Sequence, residues 1–140
     1  MAPLSPDLDL LRVFVYGTLK PGECNYAHYC ARKVIHQQEA IAQGTLYDLP
    51  LGYPAMVEGS GEVRGCLLCF GDRTFLRYLD DLEDYEPGRP LQENEYIRRR
   101  MPVFDLNRQP LGDAWVYLMA PERIRLLNGV LVRDGCWTGK

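Results

Sequence analysis

Glycine and proline cut this chain into short pieces, and the length of the pieces restricts what it can fold into. With 13 glycines and 10 prolines in 140 residues, apolar stretches such as "LLRVFVY", "GTLYDLP", "GYPAMVEG" and "GEVRGCLLCF" run only about four to eight residues between turn formers. They are rich in β-branched and aromatic side chains, which is the composition of strands. "LLRVFVY" is almost continuously apolar and fits a buried central strand that exits at Gly17. "EYIRRRMPVFD" and "DAWVYLMA" read as two more strands joined by a hairpin connection, "LNRQPLG". Helical turns are expected between Asn25 and Arg32, and the tail "RIRLLNGVLVRDGCW" suits a short helix or a further strand equally well. Many short strands around one main helix make an α+β fold. The expected sheet is small, mixed, and curled or barrel-like, with the helix and short helical turns outside.

The length suits a single domain. Residues 1–9, with two prolines and two aspartates and no periodicity, read as a mobile leader, and residues 10–140 as the domain. The N-terminal stretch has no basic segment followed by an apolar one, and no run approaches the ~20 apolar residues of a membrane span, so a soluble, cytoplasmic protein is expected. Sixteen basic residues against nineteen acidic give a net charge of −3, which argues against nucleic acid as a partner. The five cysteines are read as free thiols. Cys66 and Cys69 form a C-x-x-C inside a strand, where residues three apart point to opposite faces. Cys24, His28 and Cys30 come closer to ligand spacing, but no second cysteine pair closes a tetrahedral zinc site and the only other histidine is His36. No metal, nucleotide or redox cofactor is expected.

Asp72 is a plausible N-cap for "RTFLRYLDDLED", and Pro87, Gly88 and Pro90 end that helix. At about 100° per residue, with Phe75 at zero, Leu79 falls near 40°, Leu76 near 100° and Leu82 near 340°, which defines a buried stripe. Arg73, Arg77, Asp80, Asp81 and Asp84 take the opposite, solvated side. Glu83 falls near 80°, inside the apolar arc. A carboxylate turned toward a core is costly unless paired or protonated, and partial burial raises its pKa toward the range useful for proton transfer at neutral pH. Glu83 is therefore a functional candidate; the plainer alternative is a frayed last turn with Glu83 salt-bridged to Arg98, Arg99 or Arg100.

With these features in view, the chain resembles the γ-glutamylcyclotransferase-like family, which includes γ-glutamylamine cyclotransferase and the AIG2-like proteins. Tyr16, Gly17, Thr18 and Leu19 match a strand ending in Tyr-Gly-Ser/Thr-Leu, and Lys20 and Gly22 continue it. "GTLYDLPLGYPAMVEG" and "VRGCLLCF" match Gly-x-Leu-Tyr, Gly-Tyr-Pro-Ala and Val-x-Gly segments. Leu79, Asp80 and Glu83 match Leu-Asp-x-x-Glu, and Tyr96 and Arg98 match Tyr-x-Arg. Two departures stand out: Asp84 follows the glutamate where the family often has glycine, and "EPGRPLQENE" is a long acidic loop at Glu86–Glu95.

The resemblance implies a cavity lined by the Tyr-Gly-Thr-Leu loop and the glutamate. The reaction it implies is intramolecular: the α-amine of a small γ-glutamyl compound attacks its own γ-carbonyl, releasing 5-oxoproline and an amine or amino acid. In that chemistry Glu83 is the general acid/base. Tyr16, Gly17, Thr18 and Leu19 bind substrate, with Gly17 and its neighbours offering backbone N–H groups to anionic atoms. Tyr96 is a further substrate-binding candidate, ranked ahead of Arg98, which is placed to pair with the acidic helix end. Two other readings share the cavity: a binding module for a γ-glutamyl-like molecule, and acyl-transfer or lyase activity on a larger γ-glutamyl-tagged substrate. The identity of the leaving amine and the oligomeric state are open.

Overall fold

The structure is a computed structural model that describes residues 11–17, 34–50, 52–83, 85–86, 88, 90 and 94–137. The expected leader, the helical turns at 25–32, Thr18, Leu19, Cys24, His28 and Cys30 all lie outside the described residues, as does the side chain of Leu82.

Among the described residues, six strands and two helices follow in the order β1 (Leu11–Val15), β2 (Val34–Asp48), β3 (Pro54–Phe70), α1 (Phe75–Leu82), β4 (Ile97–Phe104), β5 (Pro110–Leu118), α2 (Pro121–Leu126) and β6 (Val130–Leu131). The strands form one mixed sheet in the order β3-β1-β5-β4-β2-β6, and β2 also pairs with β3. Among the described residues the only parallel pairing is β1 with β5, through Val13 and Trp115. The β2–β4 seam is two residue pairs wide, Ile41 with Phe104 and Ala42 with Val103. The sheet thus curls back on itself along narrow seams rather than closing with continuous ladders all round.

The apolar character of β1 has a direct cause, since it is covered on both faces. Leu11, Val13 and Val15 join one core cluster with Leu79 of α1 and Ile124 of α2. Phe14 joins a second cluster with Met56, Val63, Val116 and Trp137. Cys66 packs against the first cluster and Cys69 belongs to the second, and neither is in a disulfide.

The glycine punctuation is a partial guide. From Pro54 onward, "GYPAMVEG" and "GEVRGCLLCF" form a single strand of 17 residues, paired with a β2 of 15. The register jumps from Gln43–Glu62 to Thr45–Val57, so one residue of β2 opposes four of β3. At this bulge a Cβ on Gly44 would sit 2.8 Å from the Val57 carbonyl, and one on Gly61 3.0 Å from the Gly44 carbonyl. Glycine here lets two backbones bend together without breaking either strand. The tail is both of the alternatives read from the sequence, a helix and then a two-residue strand on the edge of β2.

Candidate active site

The first turn of α1 starts one capping step later than the sequence suggests. Asp72 Oδ1 accepts the Thr74 backbone N–H at 2.9 Å and the Thr74 hydroxyl at 2.6 Å, and the α-helix proper begins at Phe75. Its inward arc is as expected, with Leu79 buried and Phe75 and Leu76 half-buried against the core. Glu83 occupies the C-cap and is half-buried; its N–H still bonds the Leu79 carbonyl at 2.9 Å, so the last turn is kept.

Asp80 corrects the helical wheel. Assigned from periodicity to the solvated side, it is 5 % exposed. It accepts hydrogen bonds from Arg98 Nε at 2.8 Å and from the Tyr117 hydroxyl at 2.7 Å. A residue at the edge of the apolar arc is drawn inward because a cation and a phenol from β4 and β5 meet it there. The Arg98 guanidinium also lies over the Trp115 ring at 4.5 Å and the Tyr85 ring at 5.2 Å. The neighbouring arginines are engaged elsewhere, Arg99 with Glu58 and Arg100 over Trp115. The alternative of a frayed turn that pairs Glu83 with one of these three arginines therefore has no support among the described residues.

At the exit of β1, the Tyr16 hydroxyl donates to the Tyr117 carbonyl at 2.5 Å and accepts the Met56 N–H at 3.3 Å. It ties β1 to β3 and β5. Gly17 follows against the start of β3, where an added Cβ would meet the Pro54 ring at 2.8 Å. Tyr96 is buried and donates its hydroxyl to the Pro54 carbonyl at 2.8 Å. Beside it the Tyr53 ring lies 6.4 Å from that of Tyr96, and the Tyr53 hydroxyl donates to Glu95 Oε2 at 2.5 Å. Pro54 is thus the common point on which Gly17 and Tyr96 converge.

Electrostatics bind these groups into one neighbourhood. Burial pushes the Glu83 carboxyl up to about 7, and the negative charge of Glu95 pushes it the same way. Burial and the hydrogen bond to Glu95 push the Tyr53 phenol up to about 12. Burial raises Tyr16, Tyr96 and Tyr117 as well, and the Glu83 charge contributes in each case. The Glu83 charge thus acts on four tyrosines that stay neutral at pH 7, and the Glu95 charge acts on Glu83. Of the candidates read from the sequence, Gly17 and Tyr96 meet at Pro54 beside Tyr16, and the Glu83 charge acts on Tyr16 and Tyr96; Thr18 and Leu19 lie outside the described residues. The sequence reading did not single out Tyr53, Glu95 or Tyr117, and it took Asp80 only as part of Leu-Asp-x-x-Glu. Tyr53 sits in the "GYPA" segment, which was the one available signal.

The sequence profile of the family described as "Gamma-glutamyl cyclotransferase, AIG2-like" matches residues 13–139. A Vibrio cholerae protein named as a candidate γ-glutamylcyclotransferase is 38% identical over 125 residues, which are 89% of this chain and 93% of that protein. The γ-L-glutamyl-butirosin B γ-glutamyl cyclotransferase of Niallia circulans is 31% identical over 116 residues, covering 82% of this chain and 72% of the relative. In three dimensions the chain is similar to the crystal structure of an AIG2-like protein from Mus musculus, with a TM-score of 0.61, 24% identity and 81% of each chain covered. The last likeness concerns the fold, and the first three concern ancestry. The chain belongs to the γ-glutamyl cyclotransferase, AIG2-like family.

Proposed function

We propose that this chain is a γ-glutamylcyclotransferase acting on a γ-glutamyl compound, with Glu83 as the group that moves the proton. Family membership supports a cyclotransferase-type function. The observation that carries the finer reading is the half-buried Glu83 carboxyl, pushed up to about 7 by burial and by Glu95, in the same neighbourhood as the Tyr16 exit of β1. An acid with a pKa near the working pH both accepts and returns a proton readily.

In this reading the Glu83 carboxylate takes a proton from the α-ammonium of the γ-glutamyl group. The freed nitrogen attacks the γ-carbonyl carbon to give a tetrahedral intermediate. The bond from that carbon to the departing nitrogen then breaks as Glu83 returns its proton to that nitrogen, and the extra proton left on the ring nitrogen passes by way of the restored Glu83 carboxylate to the released amine, which departs as an ammonium. The products are 5-oxoproline and a free amine or amino acid. Nucleophile and electrophile share one molecule, so holding the chain folded in a near-attack shape supplies much of the rate. The Gly17–Leu19 backbone donates N–H groups to the α-carboxylate and the oxyanion, and Gly17 suits that task because nothing projects from its Cα.

The relative named for γ-L-glutamyl-butirosin B supports including bulky γ-glutamyl amines among the substrates tested. The purified protein is to be incubated with γ-glutamyl amino acids, small γ-glutamyl amines and bulky γ-glutamyl amines, and 5-oxoproline measured. Product from at least one class is expected. Stoichiometric binding with no product at long times would replace the enzyme by a binding module.

A further inference from the structure

Glu83 stands at the end of a helix, where a chain frays most readily, and the bonds that fix that end converge on one residue. Asp80 is buried and precedes Glu83 by one turn of α1. Its side chain joins the helix to two strands: Oδ1 accepts Arg98 Nε of β4 at 2.8 Å and the Tyr117 hydroxyl of β5 at 2.7 Å. Its carbonyl accepts the Tyr85 N–H at 2.8 Å, the bond that closes a helix C-terminus. Glu83 lies inside that closed turn, with its own N–H on the Leu79 carbonyl at 2.9 Å. Arg98 then meets the far side of the turn as well, its guanidinium 5.2 Å from the centre of the Tyr85 ring and 4.5 Å from that of Trp115. One strand residue therefore grips the chain both before and after Glu83.

The same bonds continue to the exit of β1. Tyr117 donates its hydroxyl to Asp80, and its carbonyl accepts the Tyr16 hydroxyl at 2.5 Å. From this geometry we infer that Asp80, Arg98 and Tyr117 are positioning residues that hold the Glu83 end of α1 in a fixed place relative to the exit of β1. They thereby set the reach of the Glu83 carboxyl to the nitrogen it serves. The inference rests on the reading of Glu83 as the proton carrier. It assigns none of the three a contact with substrate.

Stability alone does not call for such a joint. A buried ion pair adds little over well-packed apolar side chains of the same volume. Apolar packing also leaves a helix end free to slide, whereas charge-assisted hydrogen bonds fix direction as well as distance. Placement matters to proton transfer, because a misplacement of about 1 Å can cost about 10²-fold in rate.

The test measures kcat and KM for 5-oxoproline release by the parent, Tyr117→Phe, Arg98→Lys and Asp80→Asn, each alone and combined with Glu83→Gln. Rates are taken per folded molecule, well below the melting transition of every variant, so that lost stability does not register. Tyr117→Phe keeps the ring and the carbonyl that receives Tyr16, and it carries the decision if Asp80→Asn does not fold. Each substitution alone is expected to lower kcat by about 10- to 10²-fold with KM little changed. Combined with Glu83→Gln, each is expected to cost far less, because no carboxyl is left to misplace. Where Glu83→Gln leaves no measurable product, the fall in kcat at constant KM decides. Unchanged kcat in the folded variants would overturn the inference, as would losses equally large with and without the Glu83 carboxyl. A raised KM at unchanged kcat would overturn it too, by making the altered residue a substrate ligand. Full activity in Glu83→Gln alone would instead overturn the reading of Glu83 as proton carrier, and no 5-oxoproline from the parent would overturn the cyclotransferase reading.

Discussion

At the scale of single residues, the account turns on a carboxyl group kept where it is thermodynamically costly. In the unfolded chain Glu83 titrates near 4.5 and in the folded protein near 7. Between those values the native state binds more protons than the unfolded state, so stability from this group is present below pH 4.5 and is lost as pH rises through 7. Replacing Glu83 by glutamine removes the cost, and chemical denaturation at pH 8 is expected to show the variant more stable by about 1 to 3 kcal/mol. Equal stability at pH 8 would mean that the carboxyl is solvated. The same midpoint gives activity a sign: kcat/KM is expected to fall as pH drops below about 7, because the carboxylate is the form that accepts the proton. Glu83 was legible in the sequence because its angular position on a helix is a local property. Tyr53 and Glu95 were not, because their pairing joins residues 42 apart through a turn and a loop.

At the scale of elements, α1 is positioned by what its polar edge meets as much as by its apolar stripe. The Asp80–Arg98 contact is 2.8 Å long between side chains only 7 % and 16 % exposed, and Tyr117 adds a third member. Asp80→Ala leaves the Arg98 charge half-buried without its carboxylate and is expected to cost about 2 to 4 kcal/mol in urea unfolding, whereas a surface pair would cost well under 1. The helical wheel placed Asp80 outside because it counts residues along one helix and knows nothing of the strands that approach it. The strands show the same limit. β1 and α1 have short-range patterns and were legible; the long β2–β3 hairpin was read as pieces because its glycines resemble breaks, while their role is to let Gly44 pass close to the Val57 and Gly61 backbone at a bulge. Gly17 has a comparable role at the exit of β1. Gly17→Ala would push a methyl group into the Pro54 ring and is expected to cost about 1 to 3 kcal/mol by overpacking, with activity reduced further than stability explains.

At the scale of the whole molecule, the Glu83 charge reaches phenols at the exit of β1, in the β2–β3 turn, ahead of β4 and in β5. Beyond residue 120 the sequence gives no motif, yet the C-terminal segment seals the second core cluster. Trp137 is 5 % exposed and donates its indole N–H to Asp48 Oδ1 at 2.7 Å, and the Gly135 carbonyl accepts the Arg64 N–H at 2.7 Å. Trp137→Ala is expected to destabilise by about 3 to 5 kcal/mol in thermal or denaturant melts, a cost typical of removing a large buried aromatic side chain. These contacts were illegible because each is long-range and no local period announces it. The gathering of the site depends on the whole sheet, and its purpose is tested at one atom pair of the reaction. The most direct measurement is kcat/KM for 5-oxoproline release from the best γ-glutamyl substrate by the parent and by Glu83→Gln, both shown to be folded. A loss of about 10²- to 10⁴-fold is expected if Glu83 carries the proton; full activity in Glu83→Gln would contradict the account.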